Sequence, residues 1–355
     1  MDQAVRPGAD PAPTRGADEY LCVDDFLADG VSARALATAF EVGLIDLLAA
    51  HGPQRPEEAR ARCGADPQGF ALLCDLLSAG GVVEQTGAQV RMSPAFRTAL
   101  HYRDLLEAKL EFAHWAALDY SLLLTPLIRS PGEFQRRART FELFNYGRCY
   151  DFSPESVART RRWMRITTAL TRYEAPACLR RLDLEGCRSL LDVGGNSGEF
   201  ALQVCRSHPR MHASVLDLPL VCRIGQEHVR PWPEAERIDF IPGDAIAGPL
   251  PSGSDLISFK SMLHDWPDEQ AGRLLQQAVG ALAPGGTLLI FERAPLRIPA
   301  RSVPHWLLPF LVFFRSFRRP EFYAERLAAL GLQDVQIRTV PLDLPFSLVT
   351  GRKPA

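Results

Sequence analysis

An α/β fold with a parallel sheet closed by an antiparallel hairpin is predicted for the second half of this chain, on three observations. Short apolar runs at 189–193, 213–217, 237–242, 255–259 and 286–291 alternate with helical stretches, the pattern of βα units. The final runs, 335–340 and 346–350, are separated only by the five residues from Pro341 to Pro345. That link cannot hold a crossover helix, so this pair must be antiparallel. Third, the first run breaks into the glycine turn Asp192-Val193-Gly194-Gly195-Asn196-Ser197-Gly198 and a helix start, where backbone N–H groups can approach a ligand.

Taken in order, residues 1–18 are rich in Pro, Ala and Gly and lack an apolar signal-peptide core, and are expected to be a disordered tail. Over 19–100 the apolar residues Ala35, Leu36, Ala39, Phe40, Leu44, Leu47 and Leu48, then Phe70, Leu72, Leu73, Leu76 and Leu77, fall at helical spacing. Gly80-Gly81 ends the second set, and 82–92 reads as two short strands about a glycine turn, a winged-helix-like order. The helix over Pro67–Ala79 carries one charge, Asp75, whereas a groove-entering helix needs basic and amide side chains. Dimerisation or pocket scaffolding is therefore expected of this domain, and no nucleic-acid binding. Residues 101–182 read as a helical connector carrying pocket helices. Between Arg136 and Arg181 eleven arginines stand against four acids, a solvated face or, on a sharper reading, a site for an anionic substrate or a carrier protein. The catalytic domain is expected over 183–355.

Composition narrows the classes. At 355 residues, 46% hydrophobic and 23% charged, the chain has the make-up of a soluble enzyme of two domains. A net charge of −2 gives no general attraction to nucleic acid or anionic membrane. The eight cysteines form no CxxC pair and no metal-ligand spacing, so free thiols, no metal and a cytoplasmic location are expected. The most apolar stretch, 306–314, is too short to span a bilayer and contains Pro309.

The residues suited to chemistry all fall at carboxyl strand ends, the rim where open α/β sheets bind ligands. They are Asp192, Gly194 and Gly198; Asp217, closing the second run; Gly243-Asp244-Ala245; and Lys260 through Trp266. An acid such as Asp217 suits ribose hydroxyls, and the absence of Lys and Arg from 192–198 suits a cationic sulfonium better than a triphosphate.

Through Asp192-Val193-Gly194-Gly195, Asp217-Leu218-Pro219, Gly243-Asp244, His264-Asp265-Trp266 with Asp268-Glu269, and Pro284-Gly285-Gly286, the chain resembles the class I S-adenosylmethionine-dependent small-molecule O-methyltransferases. These include caffeate, hydroxyindole and polyketide-tailoring enzymes. The resemblance covers nearly all of the chain after the tail. It implies a Rossmann-like methyltransferase sheet, a winged-helix-like dimerisation domain, a homodimer and a small aromatic or polyketide-like substrate. S-adenosylmethionine is the implied cofactor and S-adenosylhomocysteine its product. The turn with Asp192, Gly194, Gly195 and Gly198 is implied to cradle the methionine part, Asp217 with Leu218 the ribose, and Gly243, Asp244 and Ala245 the adenine. Lys260 is implied to help through its backbone. His264 matches the general base and Glu292 the carboxylate that orients it. Trp163, Met164, Thr167 and Asp265 are candidates for the substrate pocket, though at helical spacing Trp163 and Met164 suit a core equally. By itself, His264 also fits a strand-end histidine satisfied by a backbone carbonyl.

Two departures from the family pattern carry expectations. Asn196 stands where glycine is usual, and a left-handed backbone is expected there. Related enzymes carry Gly-Gly-Arg-Glu-Arg-Thr-Glu before a Glu-Phe step, the last acid being a second catalytic partner. Here an ungapped match sets Arg319 at that acid and Phe313-Phe314 at the glycines, and Glu321, displaced by two, is the replacement to look for. A C- or N-methyltransferase, a non-methylating relative, a regulator that senses S-adenosylmethionine and a dehydrogenase are the alternatives left open.

Overall fold

A computed structural model describes residue 16 and residues 18–355. Apart from these, the tail expected over 1–18 lies outside the described residues. The chain divides into two compact units.

One unit comprises Tyr20–Phe144 and Arg297–Phe313. Its helices Gly30–Glu41, Leu44–His51, Pro56–Cys63 and Pro67–Ala79 precede the antiparallel pair β1 (Val83–Thr86) and β2 (Gln89–Met92). Asp29 and Asp66 cap two of these helices by accepting from the N–H groups of Ser32 and Gly69. Leu36, Ala39, Leu44, Leu48, Phe70, Leu73 and Leu77 are buried as their spacing requires. Leu72 is not: it is 60% exposed and, with Val31, Leu73 and Leu76, lines an apolar groove of about 400 Å³ between the first and fourth of these helices. The apolar stretch 306–314 packs mainly within this unit. Phe310 meets Phe112 edge-on at 6.2 Å, and Phe313 meets Phe141 and Phe144 at 5.8 and 5.2 Å. Among the described residues, no helix is long and apolar enough to cross a membrane.

The other unit comprises Asn145–Leu296 and Phe314–Ala355. The division falls at 144/145 and not at 182/183, because the helix Pro154–Leu179 sends Ala175, Ala177 and Cys178 into the core of the sheet. The strands are β3 (Ser189–Val193), β4 (His212–Asp217), β5 (Ile238–Pro242), β6 (Ser254–Lys260), β7 (Leu282–Arg293), β8 (Gln333–Val340) and β9 (Phe346–Arg352), in the order β5-β4-β3-β6-β7-β9-β8. Pairing is parallel from β5 to β7, and antiparallel where β9 joins β7 and β8. Neighbouring residues alternate between two cores, Leu190, Leu289 and Phe291 entering one and Leu191, Leu288 and Ile290 the other. Both faces are buried, as a parallel sheet with helices on each side demands.

The arginine-rich stretch is laced with ion pairs, Arg137 to Glu133, Arg159 to Glu155 and Arg161 to Glu227. All eight cysteines are free thiols.

Candidate active site at the carboxyl rim of the sheet

Parallel pairing brings the carboxyl ends of β3, β4, β5, β6 and β7 to one edge, and there the expected residues gather. After β3 the chain turns through Gly194 at φ 68°, Asn196 at φ 54° and Gly198 at φ 75°. The left-handed conformation expected of Asn196 is present. Its side chain explains the substitution, because Oδ1 accepts from Ser197 N at 2.9 Å and from Thr167 Oγ1 at 3.2 Å, fastening the turn to the helix Pro154–Leu179. At Gly195, a Cβ would stand 2.5 Å from Asp192 Oδ2, so only glycine permits this approach.

Among the described residues, two rim carboxylates form no salt bridge, although the Lys260 charge acts on Asp192. Asp217 accepts from Asn196 N at 2.8 Å and Leu218 N at 2.7 Å, and burial lifts its pKa to about 6. Asp192 is fully buried; Oδ1 accepts from Ser258 Oγ at 2.6 Å, Oδ2 has no partner, and burial lifts its pKa to about 7. A buried carboxylate with few donors and no salt-bridge partner suits added hydroxyl or ammonium donors. The residues present therefore fit a nucleoside with an amino-acid tail. On the next strand end, Gly243 N donates to the Asp217 carbonyl, Asp244 accepts from Ile246 N at 2.8 Å and Tyr150 OH at 3.0 Å, and Ala245 is buried.

Lys260 and Arg293, at the ends of β6 and β7, both turn their charges onto the buried carboxylate of Glu174. Lys260 also donates to Thr171 Oγ1 at 2.9 Å. Its ammonium is thus committed to the helix Pro154–Leu179, which leaves only its backbone for a ligand at the rim.

The turn after β6 displays His264. Glu292, at the end of β7, accepts from Met262 N at 2.9 Å and Leu263 N at 2.8 Å through Oε1, and binds His264 Nδ1 at 2.7 Å through Oε2. A carboxylate only accepts, so Nδ1 carries the proton and the neutral ring keeps a lone pair on Nε2. Burial by itself would lower the imidazole's pKa; the charges of Glu292 and Asp265 outweigh it and hold the ring above its ordinary value. Asp265 Oδ1 is 3.5 Å from Nε2, and Oδ2 accepts from Tyr146 OH at 2.7 Å. Tyr146 sits by Trp163 and Trp266, its ring 5.4 and 6.3 Å from theirs. Met164 is buried beside Trp163 in the helix sequence.

Glu321 is not brought to this cluster. The helix Pro320–Ala329 starts one residue earlier and buries Tyr323, and the helical rotation leaves Glu321 exposed. The neighbourhood of His264 is instead occupied by Phe317, 5.2 Å from the imidazole between ring centres, and by Arg318. Sequence reasoning did not single out Tyr146, Tyr150, Glu174 or Arg318. Only Glu174 carried a signal, as one of four acids in an arginine-rich stretch.

Asp217 yields a test. If it accepts ligand hydroxyls, its removal should cost about 1.5–3 kcal/mol of binding, roughly 10- to 100-fold. Protonation should do likewise, so calorimetric affinity for S-adenosylhomocysteine should fall as pH drops through about 6, and Asp217→Asn should lose that dependence. A wild-type pH profile in the variant would remove the assignment. The sign for stability is opposite: a carboxyl raised by folding favours the fold at low pH, and that contribution is lost as pH rises through about 6.

Residues 133–314 match the model of the O-methyltransferase domain. The 3-hydroxy-5-methyl-1-naphthoate 3-O-methyltransferase of Streptomyces sahachiroi is 30% identical, over 75% of this chain and 75% of its own length. The N,N-dimethyltransferase OxyT of Streptomyces rimosus is 31% identical, over 78% of each. Human N-acetylserotonin methyltransferase, solved in complex with SAM, aligns with a TM-score of 0.72 at 24% identity, covering 91% of this chain and 94% of that one.

Proposed function

The chain belongs to the O-methyltransferase domain family, and on that premise we propose that it is an S-adenosylmethionine-dependent enzyme methylating a hydroxyl of a small aromatic or polyketide-like metabolite. The observation that carries this reading is the histidine turn: His264 Nδ1 is bonded to Glu292 at 2.7 Å, so the neutral ring's Nε2 is the basic atom. S-adenosylmethionine, when bound, supplies a methyl group already activated by its sulfonium.

This chain's residues hold the cofactor and manage one proton. Asp192 and the turn of Gly194, Gly195 and Gly198 offer a buried carboxylate and backbone N–H groups to the methionine part. Asp217 and Leu218 receive the ribose, and Gly243, Asp244 and Ala245 the adenine. His264 takes the acceptor hydroxyl's proton on Nε2, and Glu292 stabilises the resulting imidazolium while fixing the tautomer. Trp163, Met164, Thr167 and Asp265 belong to the acceptor side in this reading. Eight free thiols agree with a cytoplasmic enzyme.

The test is a panel of hydroxynaphthoates, catechols and aminoarenes incubated with S-adenosylmethionine and scanned by mass spectrometry for a gain of one methyl. Methylated hydroxyarenes with matching S-adenosylhomocysteine are expected. Methylation confined to the amines would replace the oxygen acceptor with nitrogen.

A further inference from the structure

We propose that Arg318 is the positioning residue of His264, an inference that rests on the reading of His264 as the base. The turn that displays His264 is strained: Ser261, a non-glycine residue, stands at φ 52° as the chain leaves β6. Such a turn keeps its shape only if its peptide groups are held from outside. Its N–H groups at 262 and 263 are held by Glu292. The Met262 and Leu263 carbonyls accept from the turn's own N–H groups at 265 and 266, and one side chain from outside the turn holds two carbonyls, those of Leu263 and Trp266. Arg318 Nη1 donates to the Leu263 carbonyl at 2.9 Å, and Nη2 donates to the Trp266 carbonyl. These are the residue before His264 and the residue two after it, so the guanidinium brackets the histidine.

The arginine is itself fixed. Nε donates to Asp268 at 2.7 Å, the guanidinium lies 5.0 Å over the Phe322 ring, and its side chain is only 10% exposed. Phe317, the preceding residue, meets the imidazole at 5.2 Å between ring centres. The segment 317–318 therefore touches both the ring and the turn beneath it. Glu321 is exposed and no acid of this segment bonds the ring, so the segment's contribution is to hold the turn in place. Three donors in a planar fork are required; a lysine ammonium cannot span both carbonyls and Asp268.

Arg318→Met should lower kcat on the hydroxyarene turned over fastest by about 10²-fold, the scale of a one-ångström misplacement, while calorimetric affinity for S-adenosylhomocysteine stays unchanged. Arg318→Lys, which keeps the charge and should fold, is expected to lose nearly as much. In Arg318→Ala, millimolar guanidinium should restore part of the lost rate. A readout independent of any acceptor is the ring ¹⁵N spectrum, with His264 identified by its loss in His264→Ala. One Nδ1–H tautomer is expected in the wild type, and a second or exchange-broadened set in Arg318→Met and Arg318→Lys. An unchanged single set, or wild-type kcat in Arg318→Lys, overturns the proposal. Two backgrounds separate it from the base assignment: Arg318→Met should add nothing to His264→Ala, and an equal loss in both backgrounds sinks the positioning role alone. Full turnover by His264→Ala sinks the base reading itself.

Discussion

His264→Ala should lower turnover by about 10²–10⁴-fold, the usual worth of a positioned general base, with affinity for S-adenosylhomocysteine nearly intact. The separation is expected because the imidazole is bonded to Glu292 and lies near Asp265 and Phe317, none of which belongs to the Asp217 or glycine-turn contacts. Single-turnover methylation and calorimetry on the same preparation check it, and a variant that turns over normally would place the base elsewhere. The pH profile adds a signed expectation. Glu292 and Asp265 hold the ring above its ordinary 6.5. The neutral, active form therefore gains population as pH rises through that elevated pKa, and the acid limb of kcat should lie above pH 6.5. Glu292→Gln should move the limb to lower pH as well as reduce the plateau. For the fold the sign is reversed. A histidine raised by a partner gives stability fully present below 6.5 and lost as pH climbs through the folded value.

The largest effect on stability is expected at Glu174. Its carboxylate is buried between Lys260 and Arg293, whose side chains are 9% and 6% exposed. Replacing it with Leu leaves two cations in a site built for one shared anion. Breaking a buried pair this way costs about 3–5 kcal/mol, because the remaining charge cannot regain water. At roughly 2–4 °C per kcal/mol for a unit of this size, thermal unfolding should begin about 10 °C lower. Calorimetric scans of Glu174→Leu check the figure; a fall of only a degree or two would mean that water already reaches the cations. Glu174→Leu combined with Lys260→Met and Arg293→Met should recover much of the loss, since an apolar replacement of a whole buried ion cluster is often neutral.

The strands, the glycine turn and the rim acids were legible in the sequence because each is a local statement. Apolar runs such as 189–193 and 255–259 state their own period, and Asp217 closes its strand wherever that strand is placed. His264 and Glu292 were legible only through the family resemblance, since a histidine in a turn after a strand has, by itself, an ordinary structural reading. Residues that act across long separations were not. Tyr146 meets Asp265 119 positions away, Lys260 meets Glu174 across 86, and Arg318 meets Leu263 across 55. No spacing rule connects such pairs. Glu321 failed for a smaller reason, since an offset of one or two residues at a helix start rotates a side chain by 100° or more. The groove-lining Leu72 fell outside expectation because helical spacing names an apolar stripe without saying that all of it is covered.

The position of β9 bears on how the chain is made. It lies between β7 and β8, both of which precede it in the chain, and pairs with β7 from Thr287 to Arg293. Synthesis thus delivers both flanking strands before the strand that joins them. Until residues 346–352 leave the ribosome, β7 presents an unpaired apolar edge, the kind of surface that recruits other chains. The emergence of β9 is therefore the step that seals this side of the sheet, and slow emergence of these few residues would leave the β7 edge open to aggregation.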